Sequence, residues 1–377
     1  VARCFIFKPD GIGDFFLSTG VIRLLAREFG EDNLTIAVLP ALRSVVSGQF
    51  PKASVILLPL EKKRAILNVF VANCLRCFPS WLMLVGTRVD EAICLRHMRD
   101  YFQNILFFSI PSRRRYVSEN LLLGNGRPVR RWTEAMFIRI FCPTLIPYPK
   151  ADCLDKGELG LPTELEANRL LVSALLKRDV TVEEILPKLF PVKNIAGEGT
   201  FWVCAPFSSD PGKDFPTERW IQLLASLDPN ERPDSLVLTG SSEQRARLED
   251  FHTRILSELP ILGVSPSVVM PPSLQDFIDL LAGADCVLTV DTAAAHAAIA
   301  LDRRTLVLFS GQHAGMFAPW VSSPLQQWLL PLKSRRNEAW HAGLDNEVIL
   351  AALSAVLGKD VPDQRSDEPT GSHRVLE

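Results

Sequence analysis

Four short clusters in this chain bring together side chains that move protons or hold anions. The first runs Lys8-Pro9-Asp10-Gly11-Ile12-Gly13-Asp14. Gly11 and Gly13 let the backbone approach a ligand closely. Asp14 stands where this loop enters a helix, so its carboxylate either takes a proton as a general base or caps the helix. A dinucleotide-binding G-x-G-x-x-G is excluded, because its third glycine position is Phe16.

The second cluster, Ala205 to Trp220, gathers Ser208, Ser209 and Lys213 after an apolar run. Two hydroxyls and one ammonium can hold a diphosphate by hydrogen bonds and a point charge. Alone, the stretch reads as a solvated turn. In the third, Gly240-Ser241-Ser242-Glu243, the carboxylate either accepts bonds from ribose hydroxyls or favours a helix N-terminus. The fourth, Val290-Asp291-Thr292-Ala293-Ala294-Ala295-His296, is the sharpest. Small residues 293–295 leave helix amides open to phosphate oxygens, Asp291 and Thr292 stand at a strand end, and His296 follows one turn along.

A metal reading of Cys74, Cys77, Cys94 and His97 is weaker. Their spacing imitates a zinc ribbon, but the first pair lies in an apolar helix-like run and Cys94 in a buried strand. No metal is expected.

These clusters need elements to position them. Cys4–Phe7, Leu34–Leu39 and Val55–Leu58 read as strands, with a helix from Phe16 to Phe29 and another from Ala41 to Phe50. From 113 to 195 helix signals replace strands, and Thr163-Glu-Leu-Glu166 reads as a capping box. Alternation resumes with strands at Phe201–Ala205, Ser235–Thr239, Cys286–Val290 and Thr305–Phe309. The helices between them are read at 217–227, 243–259, 273–281 and 292–301, and a last one at 348–357. Strands alternating with helices imply parallel sheets covered on both faces, hence an α/β chain of two doubly wound domains. The expected bounds are 1–195 and 196–345, with a C-terminal helix over 346–358 and a disordered tail over 359–377. In such domains ligands bind beyond the strand ends, where all four clusters fall.

The 377 residues are enough for two cores, and 47% hydrophobic with 22% charged residues is a globular composition. A net charge of −2 gives no general attraction to nucleic acid, so none is expected as a partner. The apolar run Ile66–Gly86 is interrupted by Asn68, Asn73, Arg76, Pro79 and Ser80. A buried helix is expected there, with contact at a membrane surface as the alternative, rather than a spanning helix. The N-terminal apolar run is too short for a signal peptide, and eight cysteines without such a signal point to a reducing, cytoplasmic setting.

In this order the clusters resemble glycosyltransferase family 9, the ADP-heptose:lipopolysaccharide heptosyltransferases. Gly13-Asp14 matches that family's Gly-Asp at the first helix, and Ser208-Ser209 its Ser/Thr pair. Lys213-Asp-Phe-Pro-Thr-Glu-Arg-Trp220 matches its Lys-x-Trp-Pro-x-x-x-Trp, with Phe215 for the first Trp. Gly240 to Glu243 is close to its Gly-x-x-x-Glu. Asp291 to Ile299 matches Asp-Thr/Ser-Gly-x-x-His-x-Ala-Ala, with Ala293 for Gly.

The resemblance implies a GT-B fold and a single inverting, metal-independent displacement. Asp14 is then the catalytic base, and Gly13, Ser208, Ser209, Lys213, Glu243, Asp291, Thr292 and His296 bind the donor. It implies no resident cofactor. The donor is a nucleotide diphosphate sugar, ADP-heptose in that family, and the acceptor a saccharide or lipid-linked hydroxyl at the cytoplasmic membrane face. Between Arg96 and Arg131 eight arginines face two acids, Asp100 and Glu119. Arg96 and Arg99 are read as acceptor contacts, and the triplet 113–115 as peripheral. A nucleotide-sugar epimerase would need further acid/base residues in the first domain, and none is identified. A silent sugar-nucleotide-binding protein would not need both Asp14 and Lys213.

Overall fold

The computed structural model describes residues 2–60, 66–119, 136, 139–140, 144–147, 163–195, 199–259, 263–320, 323–331, 340–358 and 374–375. The chain divides into two compact units. One comprises Val1–Lys188 with Gly315–Phe317, the other Leu189–Ala314 with Ala318–Glu377.

In the first unit the strands are β1 (Cys4–Phe7), β2 (Leu34–Val38), β3 (Ser54–Leu57), β4 (Val89–Cys94), β5 (Ser112–Ser118) and β6 (Thr144–Ile146). Every residue of β1 is buried, as a central parallel strand covered on both faces requires. It pairs on both sides, Cys4 lying opposite Leu34 of β2 and Glu91 of β4. The sheet order is β3-β2-β1-β4-β5-β6, all parallel. The strand order reverses between β1 and β4, so a ligand site is expected beyond their carboxyl ends.

The described helices of this unit are α1 (Ile12–Phe16), α2 (Thr19–Phe29), α3 (Arg43–Gln49), α4 (Ile66–Gly86), α5 (Tyr101–Phe108), α6 (Thr163–Leu176) and α7 (Val182–Ile185). Phe5, Phe7, Phe107 and Phe108 centre the core, with the Phe7 and Phe107 rings 5.6 Å apart. Each such ring contributes roughly 1.5–3 kcal/mol by leaving water.

The second unit repeats the plan with β7 (Phe201–Ala205), β8 (Ser235–Thr239), β9 (Ser265–Val269), β10 (Cys286–Val290), β11 (Thr305–Leu308), β12 (Gln326–Leu330) and β13 (Arg374–Val375). Its order is β13-β12-β11-β10-β7-β8-β9, and only β13 runs antiparallel. Here the reversal lies between β7 and β10. Its helices are α8 (Thr217–Ala225), α9 (Arg245–Glu258), α10 (Leu274–Gly283), α11 (Ala293–Ala300) and α12 (Asn346–Val356). Ile349, Leu353 and Val356 of α12 belong to the core of this unit, which also holds Phe215 and Trp220.

Several sequence expectations are corrected. The helix expected over Phe16–Phe29 breaks at Leu17–Ser18, where the Ser18 amide donates to Phe15 O (2.9 Å) and Thr19 Oγ1 to Phe16 O (2.7 Å). These local bonds compete with the helical ladder. At the start of α6 the partners reach beyond the local box: the amides of Thr163 and Glu164 donate to Gly315 O (2.9 Å) and Met316 O (3.0 Å), and Glu166 pairs with Arg169 (2.6 Å). Strands β5 and β6 lie in the stretch read as helical. The boundary between the units falls at 188/189 rather than 195/196. Of the tail expected to be disordered, Arg374–Val375 pairs with Leu329–Leu330, and the rest of 359–377 lies outside the described residues.

Candidate functional site

In the first unit, the loop after β1 begins with a completely buried ammonium. Lys8 Nζ donates to Leu95 O (2.8 Å), Glu164 Oε1 (3.0 Å) and Asp10 Oδ2 (2.9 Å). Three acceptors match its three donors, which a charge taken out of water requires. Arg96 pairs with Asp10 from the other side, and also donates to Pro9 O (3.2 Å) and Gln103 Oε1 (2.6 Å). The loop from Pro9 to Asp10 is thereby clamped to the end of β4.

His97 lies under this clamp. Its Nε2 donates to Asn168 Oδ1 (3.0 Å), and its Nδ1 accepts from the Ser118 hydroxyl (2.5 Å). Burial lowers its pKa to about 4, against the pull of Glu164. Burial works to raise the Glu164 carboxyl, but Lys8, His97 and Arg96 together hold it below the ordinary range. Sequence spacing could not reveal Glu164, His97 or Asn168, because Glu164 lies 156 positions from Lys8.

The clamped loop delivers Asp14 into the first turn of α1, three residues after the N-cap Gly11, and the side chain is partly exposed. Gly11, not Asp14, occupies the cap position, which removes the simple capping explanation for Asp14. A Cβ on Gly11 would lie 3.2 Å from Asp14 Oδ2, so the loop backbone is packed against this carboxylate.

Arg99 corrects an expectation. It is 1% exposed, and its guanidinium donates to Asn104 Oδ1 (2.9 Å), Arg96 O (2.9 Å) and Ser118 O (2.9 Å). These bonds make it a strut joining the ends of β4 and β5, not an acceptor contact. Arg96, with its side chain 16% exposed, is mainly a clamp. Arg113 and Arg114 pair with Asp90 and Glu91 at the exposed start of β5, in keeping with a peripheral role. Arg127, Arg130 and Arg131 lie outside the described residues.

In the second unit, the loops after β7 and β10 meet. Lys213 Nζ lies 2.7 Å from Asp291 Oδ2, joining positions 78 apart in sequence. Asp214 stiffens the first loop: one oxygen accepts the Ser208 amide (2.6 Å) and the other meets Arg247 (2.6 Å), whose guanidinium stacks 3.9 Å over the Phe207 ring. Ser208 is buried, with its hydroxyl accepting from the Asp210 amide (3.2 Å), whereas Ser209 is exposed.

Thr292 caps α11, its Oγ1 accepting from the Ala294 amide at 3.2 Å. The Ala295 amide donates to Thr292 O, so the helix start is less bare than its small residues imply. His296 is buried one turn along. The Trp320 indole N–H donates to its Nδ1 (3.2 Å), which leaves the proton on Nε2. Burial lowers its pKa to about 4, with the Lys213 charge acting the same way against Asp291.

Glu243 sits exposed in a short turn after β8, where Ser241 and Gln244 form a capping box. Phe215, which departs from the family pattern, is buried between Trp220 and Trp340 and fills the core. Trp320 and Arg247 were not legible as site residues, since each acts through a long-range partner. Among the described residues, no group of three or more His, Cys, Asp or Glu is placed to hold a metal ion. Cys77 is buried in the first core and Cys94 ends β4.

Residues 186–338, which include the second-unit motifs, match the model of glycosyltransferase family 9 (heptosyltransferase). Over that stretch the chain is similar to family 9 glycosyltransferases.

Solved structures extend the likeness in fold to both units. A family 9 glycosyl transferase from Veillonella parvula is 12% identical, with 94% of this chain and 97% of that chain covered and a TM-score of 0.66. The E. coli ADP-heptose LPS heptosyltransferase II is 14% identical, covering 94% and 98%, with a TM-score of 0.61. E. coli heptosyltransferase WaaC, solved with ADP-2-deoxy-2-fluoro heptose, is 16% identical, covering 81% and 88%, with a TM-score of 0.58. A comparison with curated proteins finds no significant match. The architecture is therefore the GT-B type, and the Asp291–Lys213 pair lies within the matched stretch.

Proposed function

We propose that this glycosyltransferase moves a heptosyl group from ADP-heptose to a hydroxyl of a saccharide or lipopolysaccharide-type acceptor, with inversion and without a catalytic metal. The observation that carries the donor half is the Lys213–Asp291 pair at the strand-order reversal within the stretch similar to family 9. Asp291 holds the ammonium in place, and a diphosphate arriving there would take its charge in a charge-assisted contact. Ser208, Ser209 and Thr292 supply further donors, His296 donates from Nε2, and Glu243 accepts from ribose.

In the first unit Asp14 takes the proton of the acceptor hydroxyl. The acceptor oxygen bonds to the anomeric carbon as that carbon's bond to the diphosphate oxygen breaks, and ADP leaves. Charge grows on the departing diphosphate, where fixed donors stabilise it. The donor is named from the ligand of the WaaC structure. An acceptor anchored in a lipid surface fits the same reading.

The test is release of ADP from ADP-heptose, with and without a heptose-deficient lipopolysaccharide acceptor, in buffer containing EDTA. Acceptor-dependent ADP release is expected. Release only after Mg²⁺ or Zn²⁺ is added would overturn metal independence, and none under any condition would overturn the assignment.

A further inference from the structure

Helix α4 is amphipathic in an unusual sense: one side packs into the first unit, and the other is apolar and open. On the inner side Cys77 and Leu84 are buried, Trp81 packs against the core, and Ser80 Oγ donates to Leu57 O (2.6 Å). On the outer side Leu75 is 73% exposed, Phe78 53%, Leu82 52% and Met83 56%. At 100° per residue, positions 75, 78, 82 and 85 fall on one stripe, flanked by Met83 and Pro79. A helix facing only water carries charged and polar residues there.

The sequence that carries this stripe is basic. Between Glu61 and Asp90 it contains no Asp or Glu and five basic residues, Arg76 and Arg88 together with Lys62, Lys63 and Arg64, which lie outside the described residues. Arg76 borders the stripe and Arg88 follows the helix, both exposed. A second copy of this chain seated on the stripe by twofold symmetry would bring like charges together. An anionic lipid surface would meet complementary charge, while the apolar residues entered the boundary between headgroups and acyl chains.

Among the described residues, no helix is long and apolar enough to cross a membrane. The inner side of α4 is already committed to the protein, so the helix, about 31 Å long at 1.5 Å per residue, can only lie in the plane of a surface. We infer that the outer face of α4 docks this protein on an anionic membrane. This rests on the reading of the acceptor as lipid-anchored, for which such docking would bring enzyme and substrate onto one surface.

The test is co-sedimentation of the full chain with vesicles of phosphatidylcholine containing 30% phosphatidylglycerol, against vesicles of phosphatidylcholine alone. Binding to the anionic vesicles is expected, weakening as salt rises. The double variant Phe78→Glu, Leu82→Glu should lower the partition coefficient at least about tenfold. Its melting temperature and its ADP release with a delipidated, water-soluble acceptor should be unchanged. A milder pair, Phe78→Ser, Leu82→Ser, guards against a folding defect and should still weaken binding several-fold.

Binding that is absent, or indifferent to both variants, would overturn the inference. So would a wild-type dimer at micromolar concentration that either variant converts to monomer, since the stripe would then be a protein interface. Vesicle binding and soluble-acceptor turnover are separate readouts, so failure of docking is distinguishable from failure of the transferase reading.

Discussion

At the scale of single residues, Asp14 and its neighbours carry the sharpest expectations. Asp14→Asn should retain the fold and donor binding but cut turnover by about 10² or more, because the acceptor proton loses its base. Single-turnover kinetics at saturating donor would check this. Gly11→Ala offers a gentler probe. Its new methyl, 3.2 Å from Asp14 Oδ2, must push the carboxylate by a few tenths of an ångström. Turnover should fall with little change in melting temperature. Lys213→Ala should weaken ADP binding, read by calorimetry, and should also cost stability, because Asp291 is left buried without its cation. Arg99→Ala should act on stability alone. It strips charge-assisted bonds from Asn104 and two carbonyls, a loss of about 3 kcal/mol or more in denaturant unfolding.

Elements explain how far the sequence could be read. Central strands such as β1 and β10 are continuous apolar runs between turn residues, and they were legible for that reason. The start of β5 is Ser-Arg-Arg-Arg, mostly exposed and held by backbone pairing to β4, so no side-chain pattern announces it. Likewise β9 contains Pro266 and lies at a sheet edge. The sequence clusters were legible because they are local runs after strands, whereas the Lys8–Glu164 clamp depends on long-range folding. A close approach between helices gives a further test. A Cβ on Gly20 of α2 would lie 2.1 Å from Ile185 O of α7. Backbone cannot yield as a side chain does, so Gly20→Ala should destabilise by about 3 kcal/mol or more, seen as a clear fall in melting temperature.

Across the whole molecule, each unit buries a neutral histidine, His97 in one and His296 in the other. Unfolded, each takes a proton near pH 6.5; folded, only near pH 4. Between those values the unfolded chain binds more protons, so stability is full above about pH 6.5 and falls as the solution is acidified. Each histidine accounts for on the order of 3 kcal/mol across that window, and melting temperatures from pH 7 to pH 4 should trace the decline. The return of the chain to the first unit at Gly315–Phe317 has a bearing on how this protein can be taken apart. A fragment ending at Lys188 would leave behind the two carbonyls that receive the first amides of α6. Those amides would exchange with solvent deuterium far faster than in the intact chain, and the frayed turn would release Glu164 from Lys8. A graft that exchanges one unit for a relative's would meet the same difficulty unless residues 315–317 travel with the first 188.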